Sequence, residues 1–167
     1  MRCRCYLPGG SGGRGWLRAM KVSPKVPRNT YFDDRVIVES LPIGGPDAAE
    51  RRIFSDKGEM AQIVNRPDAA IRQIVYWDID SARTGVDRGH HYHLRKTDRM
   101  YVIAGEVELL LEDPRTGARD TVVLRAGERV RILPGVAHAV RSRIRSQVLE
   151  YSPDPYDPAD TYPHRMA

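Results

Sequence analysis

Three histidines and one aspartate stand at spacings able to bring four metal-binding atoms to one point. His91 and His93 are two residues apart, Asp98 follows, and His138 opens a later segment. Residues i and i+2 of a strand share a face, so His91 and His93 aim together while His90 and Tyr92 point the other way. Lys96-Thr97 offers a turn from which Asp98 swings back as an oxygen ligand, and Pro134-Gly135 turns the chain just before His138. Such a mixed nitrogen and oxygen set suits one divalent metal ion, zinc first and Fe, Mn, Ni or Co as alternatives. A position stays open on the ion for water or a substrate oxygen.

The elements that must position these residues read as strands. Residues 71–80, IRQIVYWDID, are rich in β-branched and aromatic side chains. Before them, Asp56-Lys57-Gly58 is turn chemistry between two strand-like pieces, and 31–43 is short and partly apolar until Gly44-Gly45-Pro46-Asp47 breaks it. After them, MYVIAGEVELLLED breaks at Gly105, TVVLRAGERVRIL breaks at Gly127, and HAVRSRIRSQVLEYS follows. That spacing, with no long amphipathic helix between, predicts an antiparallel sandwich or barrel. The Pro-rich end is expected to be an extended arm or edge.

At 167 residues, with 41% hydrophobic and 29% charged residues, the chain is sized for one domain with its own core. No apolar run is long enough to span a bilayer, so no membrane partner is expected. The net charge of +5 is spread along the chain and interleaved with acids, which argues against nucleic acid as a partner. Arg2, Arg4, Arg14 and Arg18 place part of the excess in residues 1–19, a Gly- and Arg-rich stretch without the apolar region of an export signal. Cys3 and Cys5 lie there too, too close for an ordinary disulfide. A disordered extension, or a true start at Met20, is the reading of this stretch, with a Cys-x-Cys metal site as the weaker alternative. The lack of cysteine elsewhere suits a reducing cytoplasm, the expected location.

The histidine segments resemble the two cupin motifs. Gly85, His91, His93, Asp98 and Gly105 fit the first at every spacing, with Asp98 in the glutamate place. Gly127, Gly135 and His138 fit the second, with Leu133 at its proline place and Ser142 at its asparagine place. The resemblance implies an all-β fold, the antiparallel double-stranded β-helix or jelly-roll barrel of cupins. In this reading residues 1–30 are an extension and 31–167 one cupin domain, with a barrel core of about 52–152 and a C-terminal arm of 153–167. Aspartate is one methylene shorter than glutamate. Either Asp98 completes the ligand set, or the three histidines hold the ion alone, or they serve a metal-free pocket as hydrogen-bonding groups.

Arg88-Gly89-His90-His91-Tyr92-His93 further resembles the Arg-Gly-x-His segment of dTDP-4-dehydrorhamnose 3,5-epimerases and the related 3,4-ketoisomerases. That likeness implies His91 as catalytic base, Arg88 as a ligand of the nucleotide diphosphate, and Tyr151 or Tyr156 as the acid. His90 and Trp77 join Arg88 as candidate substrate-binding residues, Trp77 with core packing as its competing role. The His-Tyr-His run followed by Lys and a carboxylate, and the later Asp160-Thr161-Tyr162, also resemble the C-terminal cupin domain of capsular-polysaccharide reductases, over roughly 52–165. No Gly-rich dinucleotide fingerprint is present, so a reduction would happen elsewhere.

The expected activity is therefore epimerisation or isomerisation of a nucleotide-activated keto-sugar. Two other classes fit the same residues: a different metal-cupin enzyme such as a dioxygenase or cyclase, and a non-catalytic small-molecule binder. If His91 ligates the ion its lone pair is occupied, and Tyr151, Tyr156 or His90 must take the proton instead. Alternating arginines at 125, 129, 131, 141, 143 and 145 read as a solvated sheet face, and His164 as exposed. A homodimer is expected, with 31–43 available for strand exchange.

Overall fold

The computed structural model describes residues 28–44 and 49–166, so Cys3, Cys5 and Met20 lie outside the described residues. The strands are β1 (Arg28–Tyr31), β2 (Val36–Ser40), β3 (Arg51–Ser55), β4 (Gly58–Gln62), β5 (Gln73–Ile79), β6 (Arg88–Tyr92) and β7 (Asp98–Ala104). They continue as β8 (Glu106–Glu112), β9 (Arg119–Arg125), β10 (Glu128–Ile132), β11 (Ala137–Ser142), β12 (Ser146–Ser152) and β13 (Tyr162–Pro163). Among the described residues, helix is confined to α1 (Ser81–Thr84) and one 3-10 turn (Pro158–Asp160). β1 begins inside the stretch 1–30 that the sequence marks as an extension.

Six strands form one sheet in the order β1-β2-β10-β7-β12-β5, and five form a second in the order β13-β6-β11-β8-β9. All their pairings are antiparallel. This is the cupin jelly roll anticipated from the motifs. The β3–β4 hairpin turns at Asp56-Lys57, as expected from its turn chemistry, and Gly44 and Arg52 tie it to the end of β2.

Strand alternation decides what fills the barrel. Val107, Leu109 and Leu111 of β8 are buried one residue in two, and they meet Val36, Val102, Val130, Ile132 and Val148 from the six-stranded sheet. Each leucine buried this way stabilises the fold by roughly 2 kcal/mol through apolar burial. Gly105, the last glycine of the first motif, has φ +89, and a Cβ there would stand 2.3 Å from Ser146 Oγ. Only glycine lets β7 turn into β8 against β12. Ser142 is buried and its hydroxyl accepts the Ser81 N–H at 2.6 Å, an anchor between β11 and α1.

Candidate metal centre and its surroundings

β6, its continuation through Lys96, and the starts of β7 and β11 build the site. His138 pairs directly with His91 on one side and with Leu111 on the other, so all three sit at one level of the five-stranded sheet. The register slips at the next pair, Ala139 with Gly89, leaving His90 as the extra residue of a bulge. His90 takes φ +60, a conformation unusual for a non-glycine, and Gly89 at φ +93 passes so near β11 that a Cβ would stand 2.8 Å from the His138 carbonyl. Plain alternation would send Arg88 and His91 to opposite faces, and the bulge brings them to the same one. Gly135 N–H donates to the His93 carbonyl at 2.7 Å, which clasps the Pro134-Gly135 turn onto the first histidine segment.

The result is the cluster the spacing predicted. Donor atoms of His91, His93, Asp98 and His138 lie within 4.8 Å of one another. The Nε2 atoms of His93 and His138 stand 3.3 and 3.4 Å from Asp98 Oδ2. Ligand atoms about 3.4 Å apart are what a four-coordinate ion with bonds near 2.1 Å requires, and Asp98 Oδ2 stands at about that separation from both nitrogens. His93, Asp98 and His138 are buried, while His91 is only partly so.

The proton positions sharpen the fit. His93 Nδ1 lies 2.6 Å from the Asp160 carbonyl and His138 Nδ1 3.2 Å from the Val136 carbonyl. A carbonyl only accepts, so both Nδ1 atoms carry a hydrogen and Nε2 is the nitrogen each ring turns inward. Burial pushes His138 down to about 4, so it is neutral at physiological pH. Burial, with His93 adding to it, also lowers His91. Burial alone would raise Asp98, but His138, Lys96 and His93 together hold its carboxyl below the ordinary aspartate range. Two Nε2 atoms therefore face one carboxylate oxygen, and His93 Nε2 is buried without a hydrogen-bond partner. A cation at the focus satisfies all three.

Three residues beyond the motif complete the surroundings. Lys96 is buried, and its ammonium lies 2.7 Å from Asp98 Oδ1 and 2.7 Å from Glu150 Oε1. Burial works against that charge, but Asp98 and Glu150 outweigh it and keep the lysine protonated. Asp160 accepts the backbone N–H groups of Leu94, Arg95 and Lys96. A signal for Glu150 existed in the sequence: two residues after Val148, it is an acid on the inward face of a strand. Asp160 had only its place in Asp160-Thr161-Tyr162.

The other candidates separate. Trp77 packs against the barrel core from β5, and the Arg88 guanidinium lies 5.2 Å over its ring, so these two meet on the same face as His91. His90 points away: its Nδ1 accepts the Met166 N–H, and it lies in a shallow cleft with Pro163 and His164. Tyr151 sits on the outer face of the six-stranded sheet, buried with Leu41 and Tyr101, one residue out of phase with the inward Glu150. Tyr156 is 63% exposed on the C-terminal arm. His164 is half-buried rather than exposed, its Nε2 3.1 Å from Glu112. A cavity of about 550 Å³ also lies on the outer face, bordered by Arg99, Arg129, Arg131 and Tyr151.

Residues 54–161 match the model of the polysaccharide biosynthesis C-terminal domain. The chain belongs to this family. No curated protein matches the chain. Among solved structures, members of two enzyme groups, 3,5-epimerases and 3,4-ketoisomerases, share the fold of this polysaccharide biosynthesis C-terminal domain at low identity. A dTDP-4-dehydrorhamnose 3,5-epimerase from Sulfolobus tokodaii is 16% identical, with a TM-score of 0.64 over 81% of this chain and 80% of that one. A dTDP-6-deoxy-D-glucose-3,5-epimerase from Legionella pneumophila, in complex with dTDP-4-keto-L-rhamnose, is 16% identical with a TM-score of 0.63 over 83% and 77%. A sugar 3,4-ketoisomerase from Thermoanaerobacterium thermosaccharolyticum, in complex with TDP, is 18% identical with a TM-score of 0.61 over 76% and 86%.

Proposed function

We propose that the protein is a metal-dependent epimerase or ketoisomerase of a nucleotide-activated keto-sugar, acting in polysaccharide or deoxysugar synthesis. The observation that carries this reading is the convergence of His93, His138 and Asp98 on one point with His91 beside them. Family membership, and the TDP and dTDP-4-keto-L-rhamnose bound in the similar structures, support the substrate class.

A proton on the carbon next to a ketone becomes removable when the developing enolate oxygen is stabilised. His93, His138 and Asp98 would hold a divalent ion, zinc first, which would supply Lewis-acid stabilisation of that oxygen. His91 is the partly exposed imidazole, kept neutral by burial, and its free lone pair accepts the proton; returned to the neighbouring carbon it completes a ketoisomerisation, whereas inversion at the same carbon needs a donor on the opposite face. Arg88, stacked on Trp77, offers a guanidinium to the diphosphate on the same side of the barrel. Lys96, fixed between Asp98 and Glu150, helps keep Asp98 ionised and holds both carboxylates in place.

The test is metal analysis of chelator-free protein together with deuterium wash-in from D2O into a nucleoside-diphosphate 4-keto-6-deoxysugar. Wild type is expected to carry near-stoichiometric metal and to exchange. His93→Ala loses both, while His91→Asn keeps the metal and loses about 10²–10⁴-fold in exchange. Metal-free wild type would sink the metal assignment, and full exchange in His91→Asn would sink the base. Oxygen consumption by an iron-loaded protein inert to sugar nucleotides would favour the oxygenase reading instead.

The reading extends to a cytoplasmic homodimer. Nucleotide sugars are made in the cytoplasm, and among the described residues no helix is long and apolar enough to cross a membrane. β5 is an edge strand whose outward Ile74 and Tyr76 are 63% and 54% exposed, a face suited to a second copy. Sedimentation at the monomer mass, or recovery outside the cytoplasm on fractionation, would overturn the respective half.

A further inference from the structure

We infer that Asp160 is a positioning residue for the metal ligand His93, and that through it the C-terminal arm is a working part of the metal site. The inference rests on the metal-binding reading above. Asp160 is 3% exposed and ends the 3-10 turn of the arm. Its carboxylate accepts three successive backbone N–H groups, Leu94 at 3.0 Å on Oδ1, then Arg95 at 3.1 Å and Lys96 at 3.0 Å on Oδ2. Its own carbonyl accepts the Nδ1–H of His93 at 2.6 Å. One residue thus fastens all of 93–96, the link that carries His93 into the site and delivers Asp98 from the other side.

The rest of the arm holds Asp160 where it is. Asp157 caps the turn by accepting the Ala159 N–H at 2.9 Å, and Thr161 Oγ1 donates to the Asp157 carbonyl at 3.3 Å. Tyr162 stacks on Tyr92 at 5.2 Å, and the Tyr162 and Pro163 backbones pair with Tyr92 and His91. The Asp160-Thr161-Tyr162 run therefore has one task per residue: anchor, local cap and docking contact.

The chemical consequence falls on His93. A carbonyl fixed at Nδ1 selects the tautomer that leaves Nε2 free, and it stops the ring from turning out of the cluster. Outer partners of this kind change metal affinity by about 10–100-fold when removed. If Asp160 only stapled the arm down, its loss would lower stability and leave affinity unchanged in the folded protein.

Chelator competition for Zn2+ by full-length protein separates the two roles, read on wild type, Asp160→Ala, Asp160→Asn and Asp157→Ala. Asp160→Ala is expected to bind about 10–100-fold more weakly. Asp160→Asn keeps one acceptor oxygen and sets an NH2 against backbone donors, so it falls between, and it carries the test if the alanine variant fails to fold. Asp157→Ala breaks the turn cap and the Arg95 Nη2 contact at 2.6 Å but keeps the Asp160 bonds to residues 94–96, so its loss of affinity is expected to be smaller than that of Asp160→Ala. Unchanged affinity in both Asp160 variants, or an equal loss in Asp157→Ala, would overturn the assignment. A second readout needs no metal: ring-nitrogen NMR should show His93 as the Nδ1–H tautomer in metal-free wild type and a mixture in Asp160→Asn. Should wild type bind no zinc, the metal reading falls, and the tautomer result alone then decides for or against Asp160.

Discussion

The two faces of the six-stranded sheet carry charge in opposite ways, although neighbouring residues of the same strands build both. On the inner face, Asp98 and Glu150 flank the buried Lys96, and Asp98 meets two histidine Nε2 atoms. On the outer face, one residue along, stand Arg99 and Tyr151, and Arg129 bridges Glu39 at 3.0 Å and Glu50 at 2.8 Å. The outer groups answer one another, and the exposed pairs among them are worth little because water screens them. Inside, burial lowers His138 to about 4 and leaves His93 Nε2 without a hydrogen-bond partner. The proposed site thus lies where a buried nitrogen lacks a partner, rather than at the arginine-bordered cavity of the outer face.

The largest effect that tests this contrast is Asp98→Ala. It removes an inward ligand and half of the counter-charge on Lys96, so metal should be lost and unfolding free energy should fall by about 3 kcal/mol, as for other broken buried pairs. Urea unfolding with metal analysis checks it, and a stable, metal-replete variant would erase the difference between the faces.

Acid comes next. The folded pKa of His138, about 4, lies below its ordinary 6.5, so the unfolded chain takes the proton first as pH falls. The stability contributed by the neutral ring is complete above about 6.5, lost progressively toward about 4, and amounts to at most about 3 kcal/mol. Chelator-treated protein unfolded in urea across that window should show the decline, and a His138→Gln variant should show a flatter profile.

The smallest effect sharpens the contrast from outside. Tyr151→Phe trims a hydroxyl on the outer face, where burial holds the phenol above its ordinary pKa beside Arg129. Exchange should stay within about threefold of wild type, since general acid–base roles are worth about 10²–10⁴-fold. A loss of that larger size would mean that the outer face takes part in the chemistry.

The sequence by itself determined the strand pattern, the β3–β4 turn and the four residues of the cluster. The reason is that alternation of two and a tight Gly or Pro turn are local properties, and the ligand set is confined to two short segments. Local rules failed at His90, where a bulge that depends on β11 resets the alternation and joins Arg88 to the His91 face. They also failed at Tyr151, attractive as a tyrosine after the histidines, because its side follows from the inward phase of β12 against β7. The roles of Lys96, Glu150 and Asp160 were decided by tertiary structure, although the inward phase of Glu150 and the Asp160-Thr161-Tyr162 run were visible in the sequence. Lys96 lies 54 residues from Glu150, and Asp160 lies 67 from His93; their roles exist only once the barrel closes and excludes the water that would otherwise solvate each of them.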